Sequence, residues 1–113
     1  MDQGIKIIVI PVRDLARAKA LYGGLLGVEP YADQPYYVGF RIGDQEIGLD
    51  PNGHGRGMTG PVGFCRVDDI HASLQGLVEA GAETVEEIRD VGGGRLTAIA
   101  RDGDGNPIGL VQN

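Results

Sequence analysis

The sequence predicts an α+β fold made of two tandem βαβββ modules, each a strand, a helix and three further strands. Three observations predict it. The apolar pattern passes twice through the same order of elements. The residues repeat as well: Val12-Arg-Asp-Leu-Ala-Arg-Ala matches Val67-Asp-Asp-Ile-His-Ala-Ser at an offset of 55 positions, and Arg41-Ile-Gly-Asp-Gln-Glu-Ile-Gly-Leu matches Arg101-Asp-Gly-Asp-Gly-Asn-Pro-Ile-Gly-Leu with one insertion. A Gly-rich stretch from Pro51 to Gly60, without periodicity, separates the copies. Two repeats are too few for a solenoid and suit a pseudo-symmetric domain. The expected organisation is one domain, with a first module over residues 1–52, a linker over 51–60 and a second module over 61–113.

In the first copy, Ile5 to Val12 is a nearly continuous, β-branched apolar run, the mark of a strand buried on both faces. Asp14 is placed to cap a helix carrying Leu15, Ala18, Leu21, Tyr22, Leu25 and Leu26 at helical spacing, and Gly27 to end it. Gly23 and Gly24 interrupt that helix at a cost of up to about 1 kcal/mol each relative to Ala, which suggests close packing or a kink. Three strands follow: a weak one at Val28–Tyr31, then Tyr36–Ile42 and Glu46–Asp50 around a Gly43-Asp44 hairpin turn. In the second copy, Pro61–Val67 is a strand and Asp68 or Asp69 a cap. Ile70, Leu74, Leu77 and Val78 form the apolar face of a helix that Gly81 ends. The last strands lie near Thr84–Val91, Arg95–Arg101 and Pro107–Gln112.

Composition excludes several function classes. A formal net charge of −6 argues against a nucleic-acid partner or an anionic membrane surface. No apolar run approaches the roughly 18–20 residues that span a bilayer. Met1-Asp2-Gln3-Gly4 opens straight into a strand pattern and is not expected to be a leader. The single Cys65 forbids an intrachain disulfide and fits the cytoplasm. With aromatics at 5% and no Trp, the core must be mostly aliphatic.

At Val12-Arg-Asp-Leu, Leu25-Leu26-Gly27 and Asp102-Gly-Asp-Gly-Asn-Pro-Ile-Gly-Leu-Val-Gln the chain resembles the vicinal oxygen chelate superfamily. That group includes glyoxalase I, bleomycin-resistance proteins, methylmalonyl-CoA epimerase, fosfomycin-resistance enzymes and extradiol dioxygenases. The resemblance implies a curled mixed sheet whose inner faces line a ligand cleft, usually completed by a homodimer. It also implies four strand positions for His, Glu or Gln metal ligands. In this chain those positions hold Ile7, Val62, Gly48 and Gly109. Ile and Val offer only hydrocarbon and Gly offers no side chain, whereas Mn, Fe, Ni and Zn need imidazole, carboxylate or thiolate donors. Neither a metal nor another cofactor is therefore expected. The similarity is to the metal-free, drug-binding members, which act by sequestration. The two glycines would remove volume and let a bulkier or flatter ligand approach the backbone.

Strand parity places further residues beside these four: Val9, Glu46, Asp50, Phe64, Arg66 and Val111, with Tyr37 and Arg41 expected there too. The candidate ligand-binding set is thus Ile7, Val9, Tyr37, Arg41, Glu46, Gly48, Asp50, Val62, Phe64, Arg66 and Gly109. Phe64 or Tyr37 suits a planar ligand, Arg41 or Arg66 a carboxylate, and Glu46 or Asp50 an amine. The plainer readings are core packing for the aromatics and a solvated rim or mutual ion pairs for the charges.

The remaining polar residues have structural readings. His54 and His71 lack ligand-like neighbours and read as surface residues. Cys65 lies out of phase with Phe64 and should face a helix as a small core residue. The Asp102–Asn106 stretch opens like a calcium loop, but no Glu stands at the twelfth position, so it reads as a tight turn.

Three functions follow from the residues and the resemblance together. One is a metal-free protein that sequesters a small organic molecule such as an antibiotic. Another is a metal-independent lyase or isomerase using Glu46, Asp50 or Tyr37 as acid or base. The third is a structural or regulatory protein with a vestigial cleft, whose mark would be collapse around Phe64 and Tyr37.

Overall fold

The computed structural model describes residues 4–113. Met1, Asp2 and Gln3, read above as no leader, lie outside the described residues. The described chain runs β1 (Ile5–Pro11), α1 (Leu15–Leu26), β2 (Ala32–Gln34), β3 (Tyr37–Ile42), β4 (Gln45–Asp50), a 3-10 turn (His54–Arg56), β5 (Val62–Arg66), α2 (Ile70–Glu79), β6 (Glu83–Asp90), β7 (Leu96–Arg101) and β8 (Pro107–Gln112). This is the α+β element order that the duplication predicts. No described helix is long and apolar enough to cross a membrane.

Contacts divide the chain into two compact units, Ile7–Val62 and residues 63–113 together with 4–6. In the first unit the strands order as β2-β3-β4-β1. β1 runs parallel to β4, with Ile7 opposite Glu46 and Val9 opposite Gly48. β3 and β4 form an antiparallel hairpin with Gly39 opposite Gly48 and Arg41 opposite Glu46. Even-numbered β3 residues and odd-numbered β4 residues then face α1. There Val38, Phe40, Leu49 and Ala18 form the core, flanked by Ile10, Leu15, Tyr22 and Leu26. Asp14 caps α1 by accepting from the Arg17 N–H at 3.0 Å, and Gly27 closes it in the left-handed conformation.

The second unit repeats the plan with the order β5-β8-β7-β6. Asp69 caps α2 from the Ala72 N–H at 3.1 Å. Val67, Ile70, Leu74, Ala98, Ala100 and Leu110 form its core, and Cys65 packs against them on the helix side as its parity requires. Asp102 accepts from the N–H groups of Asp104 and Asn106 and from the Asn106 side chain at 3.0 Å, which makes the expected turn. The Asn106 side-chain amide, followed by its backbone N–H, holds the Asp102 carboxyl below its ordinary value despite some desolvation. A lowered folded-state value makes the carboxylate's contribution complete above the ordinary Asp range and lost as pH falls through the lowered value. Acid titration followed by NMR should show the Asn106 amide resonances moving with the Asp102 carboxyl.

Three expectations change. The weak strand at Val28–Tyr31 is replaced by Ala32–Gln34. Pro30 has no N–H for a ladder, and the short edge strand is polar, so hydrophobic pattern passes over it. The linker contains an ordered 3-10 turn, because Gly53 packs against Pro11 and Met58. Leu21, Leu25 and Val78 do not reach the core; they are 67%, 77% and 46% exposed.

Gly23 and Gly24 line a 280 Å³ groove beside α1, floored by Phe40, Val28 and Pro30. Packing does not demand glycine at either position. A β-carbon on Gly23 would sit 3.6 Å from Phe40, an ordinary contact, and one on Gly24 would meet nothing within 4 Å. Gly24→Ala is therefore expected to stabilise the protein by about 1 kcal/mol and raise its melting midpoint by about 4–8 °C in differential scanning calorimetry.

Candidate functional site

In the first unit the pairing brings Ile7, Val9, Tyr37, Arg41, Glu46, Gly48 and Asp50 onto the sheet face opposite α1. This includes Tyr37 and Arg41, since alternate residues of β3 follow Gly39, the partner of Gly48. In the second unit Phe64 and Gly109 are direct neighbours, and Arg66 stands beside Val111, again away from the helix. Val62 heads the same strand and is buried.

Glu46 is the chemically distinctive residue of the first unit. It is only 4% exposed. A carboxylate in that position is costly unless it is hydrogen-bonded. The Tyr31 hydroxyl donates to its Oε1 at 2.6 Å. Arg41, directly opposite on β3, places Nη2 3.7 Å from the same oxygen and stacks its guanidinium 4.1 Å from the centre of the Tyr31 ring. Sequence reasoning missed Tyr31, because it lies in the bend before β2 rather than in the weak strand assigned to it. The usable signal was Gly39: a glycine within a strand marks close approach by another group.

Glycines on these faces seat aromatic rings. A β-carbon on Gly39 would lie 2.8 Å from Cζ of Tyr31. One on Gly48 would lie 2.5 Å from Cζ of Tyr37, and one on Gly109 2.7 Å from the Phe64 ring. The expectation that Gly48 and Gly109 leave room for a ligand is corrected here: the protein's own side chains take that volume, because a strand position without Cβ lets a neighbouring ring lie flat on the backbone.

Asp50 is also engaged internally. It accepts from the Asn52 N–H at 2.8 Å and from Arg56 at 2.5 Å, tying the 3-10 turn to the end of β4. Of the two plain readings of its charge, mutual ion pairing describes what is seen. Asp50→Asn should lower stability by about 1–2 kcal/mol, since it weakens two charge-assisted bonds at a largely buried site. Urea unfolding with an unchanged m-value would check this. His54 is not the solvated residue expected: its Nδ1 is buried and has no hydrogen-bond partner among the described residues. His71 is exposed, as expected.

The metal positions fail a test of donor chemistry. Ile7 and Val62 present buried hydrocarbon, and Gly48 and Gly109 present backbone covered by Tyr37 and Phe64. Among the described residues no three His, Cys, Asp or Glu gather where they could hold an ion. The residues present do not fit a catalytic metal, and no chemistry is routed through one.

A family model described as Glyoxalase/Bleomycin resistance protein/Dioxygenase superfamily matches residues 4–110. No curated protein matches the chain. Among solved structures, hypothetical protein BH1468 from Bacillus halodurans C-125 is similar, with 18% identity, a TM-score of 0.77, and coverage of 99% of this chain and 94% of that one. Methylmalonyl-CoA epimerase from Mycobacterium tuberculosis has 22% identity and a TM-score of 0.70, covering 96% and 87%. A glyoxalase/bleomycin resistance protein/dioxygenase superfamily member from Vibrio splendidus 12B01 has 15% identity and a TM-score of 0.71, covering 94% and 95%. At these identities the structures speak to fold alone.

Proposed function

The chain belongs to the Glyoxalase/Bleomycin resistance protein/Dioxygenase superfamily, and from that premise we propose that it is a metal-free protein that binds a small organic molecule and sequesters it unchanged. The observation that carries this reading is the donor chemistry at Ile7, Gly48, Val62 and Gly109, where the family resemblance places metal ligands and this chain has none. Tyr31, Arg41 and Glu46 add a few convergent polar groups to a face that also carries Ile7 and Val9, the mixed make-up usual in a small-molecule site. The same reading has the protein acting in the cytoplasm as a homodimer, with drugs such as antibiotics among its candidate ligands. A monomer in sedimentation equilibrium at micromolar concentration would remove the dimer.

The test is thermal stability against Mn, Fe, Co, Ni and Zn, each with and without chelator, and then against a panel of aromatic and cationic organic compounds. A ligand at about 100 times its Kd stabilises by roughly 2.7 kcal/mol, which moves the midpoint of a domain this size by about 10 °C or more. Saturable shifts with an organic compound that is recovered unaltered are expected. A chelator-reversible metal shift would sink the reading. Turnover without metal that is lost in Glu46→Gln would replace it with an enzyme in which Glu46 moves a proton.

A second reading is favoured by one specific observation. Tyr37 and Phe64 fill the volumes over Gly48 and Gly109, the collapse expected of a vestigial cleft. Indifference to the whole panel would select that reading.

A further inference from the structure

Tyr31 is held as a bound phenol would be held. Its ring lies flat on Gly39, where any β-carbon would come within 2.9 Å of Cε1 and of the hydroxyl. The Arg41 guanidinium stacks on the ring at 4.1 Å, and the hydroxyl donates to Glu46 at 2.6 Å. The recognising groups all belong to the β3–β4 hairpin, whereas the ring comes from a bend. Glu46 and Gly39 are buried, while Tyr31 and Arg41 are exposed, Tyr31 to 41%. The Tyr31 N–H bonds the Gly39 carbonyl at 2.9 Å, so the main chain stays in place if the side chain turns about χ1.

We propose that Gly39, Arg41 and Glu46 form a seat for the planar hydroxyaryl group of a small ligand, and that Tyr31 is the resident occupant which the ligand displaces. This rests on the binding reading above and narrows its ligand class. The glycine floor admits a flat ring against the backbone. The guanidinium stacks on the ring 4.1 Å from its centre. The carboxylate accepts one O–H, and a ring without that donor would leave a buried carboxylate oxygen short of the bond Tyr31 now makes. Because the competitor is tethered, at an effective concentration in the millimolar range or above, the apparent affinity of the intact protein is lowered by the fraction of time Tyr31 holds the seat.

The test titrates p-cresol, the free form of the tyrosine side chain, and toluene, the same ring without a hydroxyl, into the full-length 15N-labelled protein. In the wild type, p-cresol should give saturable shifts centred on Gly39, Arg41 and Glu46. Tyr31→Ala should bind it at least tenfold tighter, with toluene at least tenfold weaker than p-cresol. Adding Gly39→Val in that background should abolish binding by filling the seat. If Tyr31→Ala does not fold, Tyr31→Phe keeps the ring, drops the bond to Glu46, and should still bind p-cresol several-fold tighter than the wild type. Equal affinity for toluene, shifts centred elsewhere, or variants no tighter than the wild type would overturn the proposal. A wild type that never responds while the variants do would overturn displacement. If p-cresol is ignored throughout while members of the organic panel bind, the seat fails and the binding reading stands. Silence towards both overturns both.

Discussion

Gly109→Val should destabilise the protein by about 3 kcal/mol, at the upper end of what overpacking costs. The position is closed from two sides. A β-carbon would stand 2.7 Å from Cγ and Cδ2 of Phe64 and 2.8 Å from the Gly63 carbonyl oxygen. The first obstacle is the base of a buried ring rather than its tip. The second is main chain in a paired strand, which cannot step aside without losing ladder bonds. Gly48→Val makes the matched control, because the atoms nearest its β-carbon belong to the far end of Tyr37. That phenol can swing outward, so the control should lose clearly less. Urea denaturation of both variants decides the matter. Equal losses would mean that the carbonyl of Gly63 is not the obstacle described here.

Phe40→Ala should cost about 3–5 kcal/mol, the range for truncating a fully buried aromatic. Phe40 has no exposed surface and sits among Val38, Leu49 and Ala18 beneath α1. It also lies beneath the groove along Gly23 and Gly24. Calorimetry would check the cost, and a loss below about 2 kcal/mol would show that α1 collapses onto the cavity.

The fold was legible in the sequence where chemistry repeats. Asp14 and Asp69, at matching positions of the two copies, both cap helices, and period-two patterning sorted Glu46 from Ile47 and Phe64 from Cys65 onto opposite faces. Polar elements were illegible. Ala32-Asp-Gln carries no hydrophobic signal, and its pairing is dictated by β3 rather than by its own residues. The candidate site was half legible. Parity identifies which residues share a face, but not which of them touch. Glu46 meets Tyr31 across 15 positions of sequence, and no local pattern carries that contact. Gly48 and Gly109 were recognised as absences of side chain, but their occupants depend on the reach of Tyr37 and Phe64 across neighbouring strands.

The grouping of residues 4–6 with residues 63–113 has a consequence for the order of events during synthesis. The Ile7–Val62 unit is contiguous and has all its residues once that length of chain has left the ribosome. Its sister does not. The Arg66 N–H bonds the carbonyl of Gly4 at 2.9 Å, and Ile5 packs over Gly63, so this unit must reach back past the whole Ile7–Val62 stretch for a partner. Such distant pairing is slow relative to local structure. Residues 4–6 therefore stay without their partner until residues 63–66 have been made.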